Sequence, residues 1–118
     1  MRPDKLLLHD VLDAIAEVLD VTPSDRAKFD ANKLIRSHVV RHIQIIGEAV
    51  SRISAELKDR HPEVPWRSIV GMRHAIVHDY FEIDWNELYG TATRDMPPLK
   101  PVIQAILDSL PPDADDAP

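Results

Sequence analysis

The sequence predicts an all-α fold, an antiparallel bundle of about five helices built as one domain. Apolar residues recur at intervals of three and four along most of the 118-residue chain, the spacing of helices that each bury one face. The three glycines stand isolated and alternating β-branched runs are few, so no sheet is expected. The length suits a single core. Residues 1–110 are expected to form the domain, and residues 111–118, rich in proline and acid, a disordered tail.

The first helix is expected from about Pro3 to Asp20, with Leu8, Val11, Leu12, Ile15, Val18 and Leu19 on its buried stripe. Val21 to Asp25 ends it, and Ser24 is placed to cap the second helix. Ile35, Val39, Ile43, Ile46, Val50, Ile53 and Leu57 then form one stripe reaching from Asp25 to about Arg60. Unbroken, that segment would run roughly 50 Å at ~1.5 Å per residue, too long for so small a domain. A bend, a break before Lys33 or a partner chain over the excess is therefore expected. A third helix starts with Pro65 in its first turn and carries Trp66, Ile69, Val70, Met72, Ile76 and Val77. Asp84 caps a fourth through Trp85, Leu88 and Tyr89 to about Asp95. Met96-Pro97-Pro98 separates that from a last helix containing Leu99, Val102, Ile103, Ile106, Leu107 and Leu110.

Composition removes several classes of function. Without cysteine there is no disulfide, thiolate metal site or cysteine nucleophile, which suits a cytoplasmic protein. The start of the chain is charged and no apolar run approaches the ~18 residues of a membrane span, so no membrane partner is expected. The net charge of −6 is unevenly spread, with −4 over residues 1–25, +5 over residues 26–73 and −7 over the remainder. The basic surplus leaves room for a local positive groove that could follow a phosphate backbone, although a solvated helix face accounts for it equally well.

That surplus leads into Arg73-His74-Ala75-Ile76-Val77-His78-Asp79-Tyr80, which concentrates reactive side chains that bundle packing does not require. A histidine facing the negative end of a helix, with a tyrosine hydroxyl at the surface, is the plain structural reading. At ~100° per residue, Arg73 and His78 lie about 140° apart around a regular helix. They cannot both address one small ligand unless the helix ends between them or a second copy of the helix completes the site across a two-fold dimer. Arg36, Arg41 and Arg67 are candidates for phosphate contact or for a solvated face. Glu48 is placed either to orient Arg73 or to pair locally. His38/His42 and His74/His78 have the i, i+4 spacing of helical metal ligands. Neither pair carries a His-Glu-x-x-His arrangement, so no metal and no cofactor are expected.

The pattern Arg-x4-His-x-Tyr of Arg73, His78 and Tyr80 resembles the signature of the HepT-like branch of the HEPN superfamily. Ile46-Gly47-Glu48-Ala49, Val64-Pro65-Trp66-Arg67-Ser68-Ile69-Val70-Gly71-Met72-Arg73, Val77 to Asp84 and Asp95-Met96-Pro97-Pro98-Leu99 extend the likeness in the same order. His74 stands where the family commonly has a polar residue, often asparagine. The resemblance implies a HEPN-like helical homodimer joined around the motif helix. It also implies a metal-independent RNA endonuclease that serves as the toxin of a toxin–antitoxin pair. Its partner would be a minimal nucleotidyltransferase antitoxin able to nucleotidylate Tyr80. On that reading Arg73 and His78 are catalytic, and His74, Tyr80 and Arg67 bind or support the RNA substrate. Histidine suits proton transfer near neutrality, and arginine offers a planar, permanently charged fork for phosphate. The competing readings are a non-catalytic HEPN subunit of a two-component nucleotidyltransferase and a purely structural helical dimer.

Overall fold

The computed structural model describes residues 2–79 and 82–111, and the side chain of Asp79 is not among the described groups. Among those residues there are seven α-helices: α1 (Asp4–Val21), α2 (Arg26–Ala31), α3 (Lys33–Arg52), α4 (Ala55–Arg60), α5 (Trp66–Ile76), α6 (Trp85–Gly90) and α7 (Met96–Ser109). A two-stranded ribbon, β1 (Val77–Asp79) and β2 (Glu82–Ile83), lies between α5 and α6. The fold is an all-α bundle, and no described helix is long and apolar enough to cross a membrane. Of the expected tail, residues 111–118, all but Pro111 lie outside the described residues, as do Tyr80 and Phe81.

The packing centres on α1, α3, α5 and α7. The α1 stripe (Leu8, Val11, Ile15, Val18) is fully buried, as are Val39, Ile43, Ile46 and Val50 of α3. Each such side chain removed from water contributes about 1.5–3 kcal/mol. Two polar links show that α1 and α3 run antiparallel. At the start of α1, Asp4 accepts hydrogen bonds from the Ser54 backbone N–H (2.9 Å) and hydroxyl (2.6 Å), just beyond the end of α3. Near the end of α1, Glu17 meets His38, early in α3, at 2.9 Å. On the other side of α3, α5 packs over Gly47: a Cβ built there would lie in ordinary van der Waals contact, 3.6 Å from the carbonyl oxygens of Ile69 and Val70.

The long second stripe is broken before Lys33, one of the three outcomes that the length argument left open. Asn32 takes an extended conformation, closes α2 and accepts from the Ile35 N–H at 3.0 Å to cap α3. A second break at Ile53–Ser54 was not legible, because Ile53 and Leu57 both stay buried across it. There the Ser54 hydroxyl donates to Asp4 and accepts from the Leu57 N–H at 3.2 Å, so one side chain caps α4 and ties it to α1.

Other expectations need correction. The cap of α2 is Asp25, which accepts from the Ala27 N–H at 2.9 Å, and not Ser24. Pro65 occupies the capping position before α5 rather than its first turn. Met96-Pro97-Pro98 does not separate two helices. A π-helical turn, Thr91–Asp95, joins α6 directly to α7, with the Met96 N–H reaching the Thr91 carbonyl. The wider turn relieves the clash that a proline ring makes with the carbonyl one regular turn back, so the chain stays helical through both prolines. The ribbon contradicts the expectation of no sheet, although it is only two strands. Val77 pairs with Ile83, and the Asp84 N–H donates to the Ile76 carbonyl at 2.7 Å, an arrangement that suits the β-branched Ile76, Val77 and Ile83.

Ser54→Ala removes a helix cap and leaves Asp4 without its hydroxyl partner. A loss of about 1–3 kcal/mol is expected in urea unfolding. Gly47→Ala gains helix propensity without a clash, so it is expected to be neutral or to stabilise by up to about 1 kcal/mol. Gly47→Leu, which must displace the α5 backbone, is expected to destabilise in the same assay.

Candidate active site

The reactive segment does not form one straight helix. The Val77 N–H closes α5 onto the Arg73 carbonyl, Val77 itself is extended, and the chain leaves as β1. The helix therefore ends between Arg73 and His78. Once extended, successive residues face opposite ways: Val77 turns partly inward and His78 outward. Arg73, His74 and His78 consequently line one cavity of about 490 Å³, closed by Val40 and Gln44 of α3, Val77 and Ile83. The 140° separation that a regular helix would impose is removed within one chain, so the helix geometry does not itself demand a second copy.

All three side chains are exposed, and among the described residues none has an ion pair or side-chain hydrogen bond. The lining thus offers two imidazoles and a guanidinium free to meet a ligand, with no carboxylate among the described lining residues. This set can transfer protons near neutrality and hold a phosphoryl group. The i, i+4 relation of His74 and His78 is not a helical one, because α5 has ended at Ile76. Tyr80, the expected supporting residue and modification site, lies outside the described residues.

Arg73 and Gln44 also belong to a second, larger groove of about 690 Å³ between α1 and α3, lined among others by Glu17, Arg41, His42, Glu48 and Arg52. Its charge is mixed rather than uniformly positive. Arg2 pairs with Asp10 at 2.7 Å and Arg52 with Glu48 at 2.8 Å. Glu48 therefore serves its own helix and does not orient Arg73. Arg41 is exposed in this groove.

Arg36 is structural. Its guanidinium lies 5.0 Å from the Trp85 ring centroid and donates to the Asp30 carbonyl, while its buried Nε has no partner. Arg67 is exposed on α5 but lines neither cavity. Six residues before Arg73, it sits about 120° away around the helix. The sequence reading missed Gln44, which lies where the two cavities meet. A polar residue inside Ile43-Gln44-Ile45-Ile46 was the signal that could have found it.

The description Ribonuclease HepT-like matches residues 11–106. A candidate RNase of Methanocaldococcus jannaschii is 35% identical over 106 residues, spanning 89% of this chain and 97% of its own. A second candidate RNase of that organism is 31% identical over 110 residues, spanning 92% of this chain and 95% of its own. A protein of Thermococcus cleftensis, named as a candidate HepT ribonuclease, is 36% identical over 100 residues, or 84% and 91% of the two chains. No solved structure matches significantly. With this match over most of its length, the chain belongs to the HepT-like ribonuclease family.

Proposed function

We propose that this protein is a metal-independent RNA endonuclease, the toxin of a cytoplasmic toxin–antitoxin pair. The observation that carries the chemistry is the end of α5 between Arg73 and His78, which brings both side chains and His74 onto one cavity. Family membership supplies RNA as the substrate class.

In this mechanism the 2′-hydroxyl beside the scissile bond attacks phosphorus and the P–O5′ bond breaks. The products are a 2′,3′-cyclic phosphate and a 5′-hydroxyl. One proton leaves the 2′-oxygen and one must reach the departing 5′-oxygen. In this reading His78 carries one of these transfers and His74, which lines the same cavity, carries the other. Arg73 binds the non-bridging oxygens, whose charge grows in the transition state. Gln44 and Arg41 guide the flanking strand from the second groove. The lining supplies proton carriers and a fixed cation, which is the equipment for this route.

The working form is a homodimer in which two motif segments face a shared cleft, so that one protomer's Arg73 also assists across the interface. The regulatory partner is a minimal nucleotidyltransferase antitoxin. It transfers a nucleotidyl group from a nucleoside triphosphate to the hydroxyl of Tyr80, two residues after His78 in sequence, with release of pyrophosphate. The added phosphate charge opposes binding of the RNA and stops cleavage.

His78→Ala and Arg73→Ala should each lower RNA cleavage by at least about 100-fold, whereas Arg67→Ala should change it little. Cleavage should persist in EDTA and leave cyclic-phosphate ends. A protein that binds RNA or a partner without such products would instead be the non-catalytic subunit. Co-production with the antitoxin should raise the intact mass by whole nucleotidyl units, a gain that Tyr80→Phe abolishes. An unchanged mass would remove Tyr80 as the modified residue.

A further inference from the structure

A second constellation lies outside the Arg73–His78 cavity. His38 and His42, one turn apart on α3, face Glu17 near the end of α1, and one ligand atom from each lies within 4.8 Å of the other two. We propose that Glu17, His38 and His42 form a binding site for a zinc-type divalent cation that cross-links α1 to α3.

The hydrogen bonding already prepares His42. Its Nδ1 lies 2.8 Å from the His38 backbone carbonyl. A carbonyl only accepts, so Nδ1 carries the proton and Nε2 of the neutral ring presents a lone pair. Metal-ligating histidines are held in this way, with the non-ligating nitrogen donating to a backbone carbonyl. His38 Nε2 faces Glu17 Oε2 at 2.9 Å, so a proton occupies the space between two good ligand atoms. A cation replaces that proton, which leaves to solvent, and binds nitrogen on one side and oxygen on the other. Three atoms within 4.8 Å of one another always share a point no more than about 2.8 Å from each. Closing to the ~2.0–2.2 Å of zinc–imidazole and zinc–carboxylate bonds needs only side-chain adjustment, and Glu17 is exposed and free to make it.

Two imidazoles and one carboxylate suit zinc, cobalt, nickel or copper, whereas magnesium and calcium prefer all-oxygen sites. Three protein ligands leave a fourth position for water. Glu17 and His42 line the groove that also contains Arg41 and Arg73, so the bound cation adds positive charge to the surface leading to the cavity. The link also falls at the end of the α1–α3 pair opposite the Asp4–Ser54 link.

The test uses the full chain, free of any histidine tag and stripped with chelator, titrated with zinc by calorimetry in the absence of RNA. One ion per chain is expected, with a higher Tm, and cobalt should give the visible absorption of a nitrogen- and oxygen-ligated site. Glu17→Gln and His42→Ala should each weaken binding by at least about tenfold and abolish the Tm shift. The exposed position of Glu17 keeps its variant informative if His42→Ala does not fold. Binding absent from the parent protein, or retained at parental affinity by both variants, overturns the proposal. So does binding lost with His78→Ala instead, which places the ion at the other histidines. These readouts involve no cleavage, so their failure leaves the nuclease reading standing.

Discussion

The packing of α3 between α1 and α5 is the constraint on which the rest of the molecule depends. Its buried edge, Val39, Ile43, Ile46 and Val50, meets the α1 stripe, while the α5 backbone packs over Gly47, where there is room for a Cβ but not for a long side chain. Between these contacts α3 holds particular polar side chains in place: His38 and His42 lie against Glu17, and Gln44 lines the cavity that Arg73 also lines. The Asp4–Ser54 and Glu17–His38 links near the two ends of the α1–α3 pair oppose sliding of one helix along the other. A slip by one turn, roughly 5.4 Å, would bury polar groups against the apolar stripe. Register at the site is thus set by the core.

Within that frame, the end of α5 decides what the motif can do. Arg73 and His74 stand in the last turn, where the free carbonyls favour cations. His78 is carried by an extended residue one step past the cap. The ribbon holds the turn through the pairing of Val77 with Ile83 and the Asp84-to-Ile76 hydrogen bond. Asp84 then caps α6 by accepting from the Glu87 N–H at 3.0 Å. A single residue thereby joins the end of the motif segment to the next helix, and α6 is itself anchored by Tyr89, whose hydroxyl lies 2.9 Å from the Pro23 and Ser24 carbonyls. The position of His78 therefore depends on groups far from it in sequence.

Much of this was legible in the sequence, because helical periodicity reports burial. The first helix follows from spacing, and length shows that the second stripe cannot stay one straight helix within the domain, the break before Lys33 being one of the three outcomes it leaves open. What escaped was what periodicity cannot register. Ile53 and Leu57 remain buried whether or not the helix breaks between them, so the stripe hides the interruption that Ser54 makes. Pro97 and Pro98 read as a separator because a regular helix rejects them, yet a π-helical turn accommodates the pair. The motif poses a dilemma in sequence, helix end or second chain, and hydrogen bonding at Val77 supplies the first within one chain. Glu17 was invisible as a companion to His38 and His42, since 21 residues separate it from His38 and only the antiparallel packing of α1 on α3 brings them together.

The location of the cavity also constrains how it can hold phosphate. Anion sites commonly use the N-terminus of a helix, where free N–H groups and the dipole favour negative charge. Here the lining comes from the opposite end of α5, whose carbonyls repel an anion. Side-chain charge must overcome that repulsion on a protein of net charge −6. Arginine suits the task better than lysine, because its fork holds two oxygens at once and its charge does not titrate away. The mixed charge of the adjoining groove leaves few cations to bind a long strand without regard to its position. Such a surface disfavours diffuse attraction of a polyanion and leaves Arg73 and Arg41 as its unpaired arginines among the described residues. In the proposed mechanism, selection of the cleavage point then falls to the fit of one phosphodiester between the guanidinium and the imidazoles rather than to diffuse electrostatic attraction.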